Sequence, residues 1–242
     1  PSFGKAYHNL ATLYSIQGRY DEAEILQERS QALAYHRDRA EQMERSAVEA
    51  PDSLAQRLQL AVSYAELGRF NDAAVVFDEL IAHDPENAVV LSTAAQLHFK
   101  RQDFDRAMAL AQRLIALAPD LPRSAAAFYI SGFVHAKRGK VEAARLALER
   151  AVALDDSLVE AWIALGNVHT MRRQLGPAEE AYLAAMTRDS SSSAARYGLA
   201  MTHARRGDLD RATMALEELL SLNPESNRAR ETLAQVRARQ AR

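Results

Sequence analysis

One pattern of about 34 residues, recurring in register along nearly the whole chain, leaves few folds open. It is clearest from 159 to 192, which reads Trp162-x2-Leu165-Gly166-x2-His169 and then Ala178-x3-Tyr182. Related copies occupy 54–87, 88–121, 125–158 and 193–226, with an earlier one at 4–37. Successive starts lie 34 residues apart except at 125, where Asp120, Leu121, Pro122 and Arg123 lengthen the step to 37. A unit this short cannot bury an apolar face alone, so neighbouring units must stack to make a shared core.

Each copy has two halves. In the first, apolar residues recur at helical spacing, as at Leu60, Ala61 and Tyr64 or Leu199, Ala200 and His203. Gly18, Gly68, Gly139 and Gly207 then provide left-handed stops. Asp21, Asn71, Asp105 and Asp210 open the second helices as expected caps, and Gly176-Pro177 takes that place in the unit starting at 159. Small residues follow at Ala23, Ala73, Ala107, Ala144, Ala178 and Ala212, where paired helices approach closely. Pro51, Pro85, Pro119 and Pro224 close the second helices. With only 9 Gly and 7 Pro, and with Ala, Leu, Arg and Glu abundant, the chain as a whole favours helix.

These residues resemble the tetratricopeptide repeat (TPR) signature, W-x2-L-G-x2-Y…A-x3-F…P, over about 4–226. Phe77 and Tyr182 fill its aromatic place after the alanine, with Leu148 and Leu216 as aliphatic stand-ins. The opening Tyr7 to Tyr14 with Gly18 to Ala23 is most similar to kinesin-light-chain-like repeats, over one unit only. The resemblance implies an all-α solenoid of about six helix-turn-helix repeats in a right-handed superhelix. The expected organisation is an N-terminal repeat with an irregular helical segment over 4–53, five repeats over 54–226, and a closing helix over 227–242. Leu233 and Val236 form the inner stripe of that last helix, with arginines around it. A basic docking tail is the alternative reading of the same residues.

The irregular segment comes from a break in phase. From 4 to 54 is 50 residues, one period plus 16, which leaves a second half-repeat at 38–53 without its first helix. Either one long helix runs from Asp21 to about Glu49 or the array is discontinuous there; no Gly or Pro falls between Arg19 and Ala50, so a continuous helix is expected across Ala34–Ala40. It would leave Leu33, Ala40, Met43 and Ala47 needing cover, and a second copy of the chain is the expected source.

No catalytic constellation is present, and the chain is read as a non-enzyme without a cofactor. H-E-x-x-H, G-x-S-x-G and a phosphate-binding glycine loop are all missing from the sequence. A net charge of −2 argues against nucleic acid as a partner, and no apolar run is long enough for membrane insertion. Cysteine is absent, which removes disulfides and thiolate metal sites but leaves the compartment open between cytoplasm and periplasm. The sequence starts at Pro1, so a signal peptide or further domain would leave no trace in it. His98, His135, His169 and His203 repeat at one place in four successive units. Equivalent residues on stacked helices stand about 8–10 Å apart, too far for a shared metal, so a packed ring with a polar tip is expected. Glu179-Glu180 and Glu217-Glu218 read as solvated faces, and Ser190–Ser193 as a linker with a helix cap.

What remains is binding. The resemblance implies that first helices line a concave face and hold a partner peptide or amphipathic helix. The places left over from core packing hold Tyr129, Ile130, Phe133, Ile163, Asn167, Met171, Tyr197 and Met201, bordered by Lys137 and Arg205. The family's carboxylate clamp is not supported. Lys5 and Asn9 suit it, but Gln59, Thr93, Ile130, Ala164 and Gly198 stand where its partners belong. An asparagine ladder fails too, with Asn9 alone in place. The expected function is a scaffold or adaptor. Its alternatives are a periplasmic module of a polysaccharide-export or pilus-assembly system, and the regulatory array of an enzyme whose catalytic domain lies outside this chain.

Overall fold

The computed structural model describes residues 3–46 and 53–241. The expectations for Ala47 and Pro51 fall outside what is described. Among the described residues there are helices and no strands: α1 (Phe3–Ile16), α2 (Tyr20–Ser46), α3 (Leu54–Glu66), α4 (Phe70–His83), α5 (Ala88–Lys100), α6 (Phe104–Leu117), α7 (Ser124–Lys137), α8 (Val141–Leu154), α9 (Val159–Met171), α10 (Leu175–Arg188), α11 (Ser193–Arg206), α12 (Leu209–Leu222) and α13 (Asn227–Gln240). They form two compact units, Pro1–Asp103 and Phe104–Arg242.

The second unit is a run of helix pairs, α7 with α8, α9 with α10 and α11 with α12, preceded by α6 and followed by α13. Ala144, Ala178 and Ala212 are fully buried where paired helices meet, so the small residues serve close approach as read from the sequence. Leu216, Leu219, Leu233 and Val236 close one cluster at the C-terminal end. Burying side chains of this size contributes roughly 1.5–3 kcal/mol each before conformational entropy is charged. Two arginines of α13 contact the preceding helix and turn: Arg237 reaches Glu217 at 2.6 Å and Arg230 donates to the Pro224 carbonyl at 2.6 Å. This helix is a cap.

The turns use left-handed residues as expected at Gly18, Gly68, Gly139 and Gly207. Units without glycine there place Gln102 and Arg173 in the same conformation, at φ near 62° and 59°. In four of the incoming turns a residue six positions along fastens the turn. The Trp162 Nε1 donates to the Asp156 carbonyl, Arg196 to Ser190, Arg230 to Pro224 and the Ser124 hydroxyl to Ala118.

The acidic openings of the second helices do something other than expected. The N-caps of α4 and α12 are Arg69 and Asp208, and neither caps through its side chain. Asn71, Asp105 and Asp210 are each the second residue of their helix and accept from a helix further along the chain. Arg101 reaches Asn71 at 3.0 Å, Arg138 reaches Asp105, and Gln240 reaches Asp210 at 2.9 Å. The same rung is made by Arg172 with Glu142 and by Arg206 with Glu179 at 2.6 Å. Carboxylates here also meet the positive end of their own helix. Pro177 lies third in α10, not first, still within the turn whose amide groups lack helical partners.

In the first unit, α2 is one helix of 27 residues and runs unbroken across Ala34–Ala40. Its companion α1 has 14 residues and so spans about half of it. The later part of α2 packs on α3, and Ala40 and Met43 are 1% and 8% exposed within the single chain. The reason for expecting a second copy at those two residues therefore falls away, because α3 supplies the cover.

Candidate functional site

The site forms in the second unit, where α9, α11 and the start of α13 come together over α10 and α12. Tyr182 of α10 organises it. Its ring is 2% exposed and lies between Gly166 of α9 and Gly198 of α11. A Cβ added to either glycine would stand less than 3.0 Å from that ring. The two glycines thus let an aromatic side chain pass from the second helix of a pair through to the opposite side of the first helices. Its hydroxyl emerges there, donating to the Asn167 Oδ1 at 2.8 Å, with Thr170 Oγ1 at 3.5 Å. Burial pushes the Tyr182 phenol above its ordinary value, so it stays a neutral donor across the physiological range.

Above this floor lies a cleft of about 410 Å³. Ile163 and Asn167 come from α9, and Tyr197, Met201 and Arg205 from α11. Arg228 of α13 closes the rim, with its guanidinium 4.3 Å from the centre of the Tyr197 ring. The Tyr197 hydroxyl lies 3.1 Å from that of Thr232, so the cap helix holds this ring in place. Among the described residues, no carboxylate lines the cleft, while Arg205 and Arg228 do. The surface on offer is apolar and aromatic, polar at its floor and cationic at its rim.

Four of the eight residues expected from sequence therefore meet in one place: Ile163, Asn167, Tyr197 and Met201. Ile130 is a correction. It is 1% exposed, a core residue, and no partner reaches it. Tyr129 and Phe133 are half-buried, their ring centres 6.2 Å apart, and Phe133 also meets Phe104 at 5.8 Å. Tyr129 packs on the core of α8 and α9, and burial together with the nearby Glu160 lifts its phenol to about 12. Lys137 stands 4.4 Å from the centre of the Phe104 ring rather than at the cleft. Met171 is 55% exposed at the end of α9 but does not line the cleft. Thr170, Tyr182, Gly198 and Arg228 were not anticipated there. The glycine pair facing one aromatic was the only sign in the sequence, and it becomes legible only once the helices are paired.

The repeated histidines are packed as expected. His98 and His203 are buried, while His135 and His169 are half-buried. His98 Nδ1 lies 3.2 Å from Asp103 and His169 Nδ1 lies 3.0 Å from Gln174, each five residues on. No cluster of three or more metal-ligating side chains occurs among the described residues. Glu179, expected to be solvated, is half-buried and accepts from Arg206. Ser192 caps α11 by accepting from the Ala195 amide at 3.4 Å. Among the described residues, no helix is long and apolar enough to cross a membrane.

Comparison with known proteins agrees with this architecture. Four tetratricopeptide repeat models match, at residues 4–34, 64–127, 131–194 and 193–236. No curated protein sequence matches the chain. Among solved structures, the pilF protein of Pseudomonas aeruginosa is similar at 17% identity and a TM-score of 0.70, over 96% of this chain and 97% of its own. PilW, described as a widely conserved type IV pilus biogenesis factor, is similar at 18% identity and a TM-score of 0.67, over 96% and 99%. YrrB, described as a TPR protein with an unusual peptide-binding site, is similar at 19% identity and a TM-score of 0.62, over 80% and 98%. The chain belongs to the tetratricopeptide repeat family, and its fold is the all-α repeat fold of these solved structures.

Proposed function

We propose that this scaffold holds a peptide or short helix of a partner protein in the cleft between α9, α11 and α13. The observation that carries the reading is the cleft's composition: half-exposed Ile163, Tyr197 and Met201 beside Asn167, Arg205 and Arg228, without a carboxylate among the described residues. Apolar anchors give binding energy when desolvated, and a cationic rim selects partners of opposite charge. The occupant is thus a segment with one or two aliphatic or aromatic side chains next to an acidic residue or a chain-terminal carboxylate.

The test is a selection of peptides from a random library on the purified protein, followed by affinity measurements on variants. Met201→Ser and Arg205→Glu together should weaken the selected peptides by about tenfold or more, which corresponds to about 1.4 kcal/mol. The melting temperature should be nearly unchanged, since both residues have access to solvent. Full affinity in the double variant would rule the cleft out.

A second reading, service in an envelope assembly machine such as a pilus system, is favoured by one observation. The likeness to pilF and PilW runs end to end in both directions. That likeness is one of fold. The reading predicts that deleting the gene impairs pilus assembly in the source organism, and normal piliation would dismiss it.

A further inference from the structure

The Tyr182 hydroxyl under the cleft is more than packing requires. Phe77, Leu148 and Leu216 take the equivalent place in other repeats and fill it, fully buried, without a hydroxyl. The Tyr182 ring is fixed between Gly166 and Gly198, so its hydroxyl is held in one place with two acceptors in reach. Asn167 Oδ1 lies at 2.8 Å, whereas Thr170 Oγ1 lies at 3.5 Å, long for a hydroxyl donor. The Thr170 proton is itself taken by the Gly166 carbonyl at 2.8 Å. Turning the Asn167 amide over would set its nitrogen on the tyrosine oxygen and leave the hydroxyl proton only the long contact. The Asn167 oxygen is therefore held on Tyr182, and its NH2 group is presented to the cleft that this exposed residue lines. Arg205 and Arg228 also only donate, while Ser193 and Ser226 add hydroxyls that serve either way.

We propose that Tyr182 is a positioning residue for this cleft: it locks Asn167 as a donor, and the locked donor makes the cleft select a ligand carboxylate over the amide of the same shape. The inference rests on the cleft being the binding site and adds what sets its specificity. Charge at Arg205 and Arg228 draws any anionic segment, whereas a fixed N–H direction reads the group itself. A carboxylate offers an acceptor at both oxygens. A primary amide can turn its oxygen to Asn167, but its own NH2 group then faces a cleft whose fixed side chains are all donors. A polar group left against its own kind costs more than a missing contact, which is how a site rejects a close analogue. Ile163 and Met201 line the same cleft, so the carboxylate belongs next to an aliphatic side chain.

The experiment titrates N-acetyl-leucine and its primary amide, two probes of one shape, into the isotopically labelled full chain. The wild type should bind the acid about tenfold more tightly, and the Asn167 side-chain NH2 signals should move with it. Tyr182→Phe keeps the packed ring and both arginines but frees the amide to turn, so the acid-to-amide preference should fall about threefold or more. Asn167→Asp puts an acceptor where the donor stood and should reverse the preference. A purely structural role for the hydroxyl would weaken both probes alike and leave their ratio unchanged. A capped leucine–aspartate dipeptide, whose only carboxylate is in a side chain, shows by binding more or less tightly than N-acetyl-leucine which source of carboxylate the cleft takes. An equal ratio in wild type and Tyr182→Phe, with the Ile163, Asn167, Tyr197 and Met201 amides still shifting, would overturn the lock and leave the cleft as the site. Probes that leave those four amides still would overturn both.

Discussion

The α1–α2 hairpin and the helix pairs of the second unit are written in the same repeat grammar but are packed to different degrees. In α1 only Ala11 is buried among the hydrophobic residues described, and Leu13, Ile16, Tyr20 and Ile25 of the hairpin are exposed. In the α7–α12 pairs, Leu148, Val168, Tyr182, Leu216 and Leu219 are enclosed on all sides. The difference lies in register, not composition. Where first helices follow one another at the full period, each covers the next, and a residue such as Tyr182 can be held by two of them at once. Where the period breaks, α2 runs on past α1 to pack on α3, and a cavity opens beside its middle. Order in the repeat becomes burial, and a fault in the repeat becomes accessible surface.

That contrast is most easily broken in the core. Leu148→Ala should cost about 2–5 kcal/mol, because it removes a fully buried side chain and leaves a cavity. Leu13→Ala in the hairpin should change stability by about 0.5 kcal/mol or less. Urea denaturation followed by circular dichroism measures both, and similar losses at the two sites would refute the comparison.

A smaller effect is expected at the site. Gly198→Val pushes a side chain into the Tyr182 ring and should cost about 1–3 kcal/mol through overpacking, with loss of peptide binding. The same substitution at Gly176, where an added Cβ meets nothing within 4 Å, should leave binding intact.

Acid should loosen the second unit selectively. His135 and His203 sit below the ordinary imidazole value of 6.5, first because burial penalises the charged ring. Lys140 and Arg138 add to this at His135. At His203, Glu179 and Asp208 oppose it while Arg206 and Arg211 reinforce it. The Nδ1 atom of each ring is buried without a hydrogen-bond partner. The unfolded chain therefore takes up these protons more readily than the folded one. Stability is full above about 6.5, declines as pH falls through that value and levels off below the folded values. His203→Gln should flatten part of this decline in melting temperature, and an unchanged slope would show that other groups cause it.

The smallest effect belongs to the exposed ladder between pairs. Arg172→Ala should cost no more than about 1 kcal/mol in thermal melting, and less at high salt, since exposed ion pairs are weak. A loss as large as that of Leu148→Ala would mean that polar rungs, not apolar burial, hold the array.

Much of this was legible in the sequence, for identifiable reasons. Helix pairs, left-handed glycine stops and alanine contact points follow from local backbone rules and a fixed period, which is why α3 to α13 begin and end close to where the repeat places them. The unbroken α2 followed from the absence of Gly and Pro. The roles of Asn71, Asp105 and Asp210 were not legible, because a first-turn acid looks the same whether it caps its own helix or reaches Arg101, Arg138 or Gln240 of a helix further along the chain. Ile130 was misplaced because α7 is apolar on nearly every side around Phe128 to Val134, leaving no stripe to orient it. Arg228 was missed because a residue beyond the last repeat enters the cleft only through the three-dimensional placement of α13.

The most direct test of the binding site is residue-resolved. Isotopically labelled protein should be titrated with the tightest peptide selected from a random library. The account predicts that amides of Ile163, Asn167, Tyr197 and Met201 shift together and saturate at one stoichiometry, while those of α7 near Ile130 stay still. Shifts that leave α9 and α11 untouched, or that spread evenly over the second unit, would contradict it.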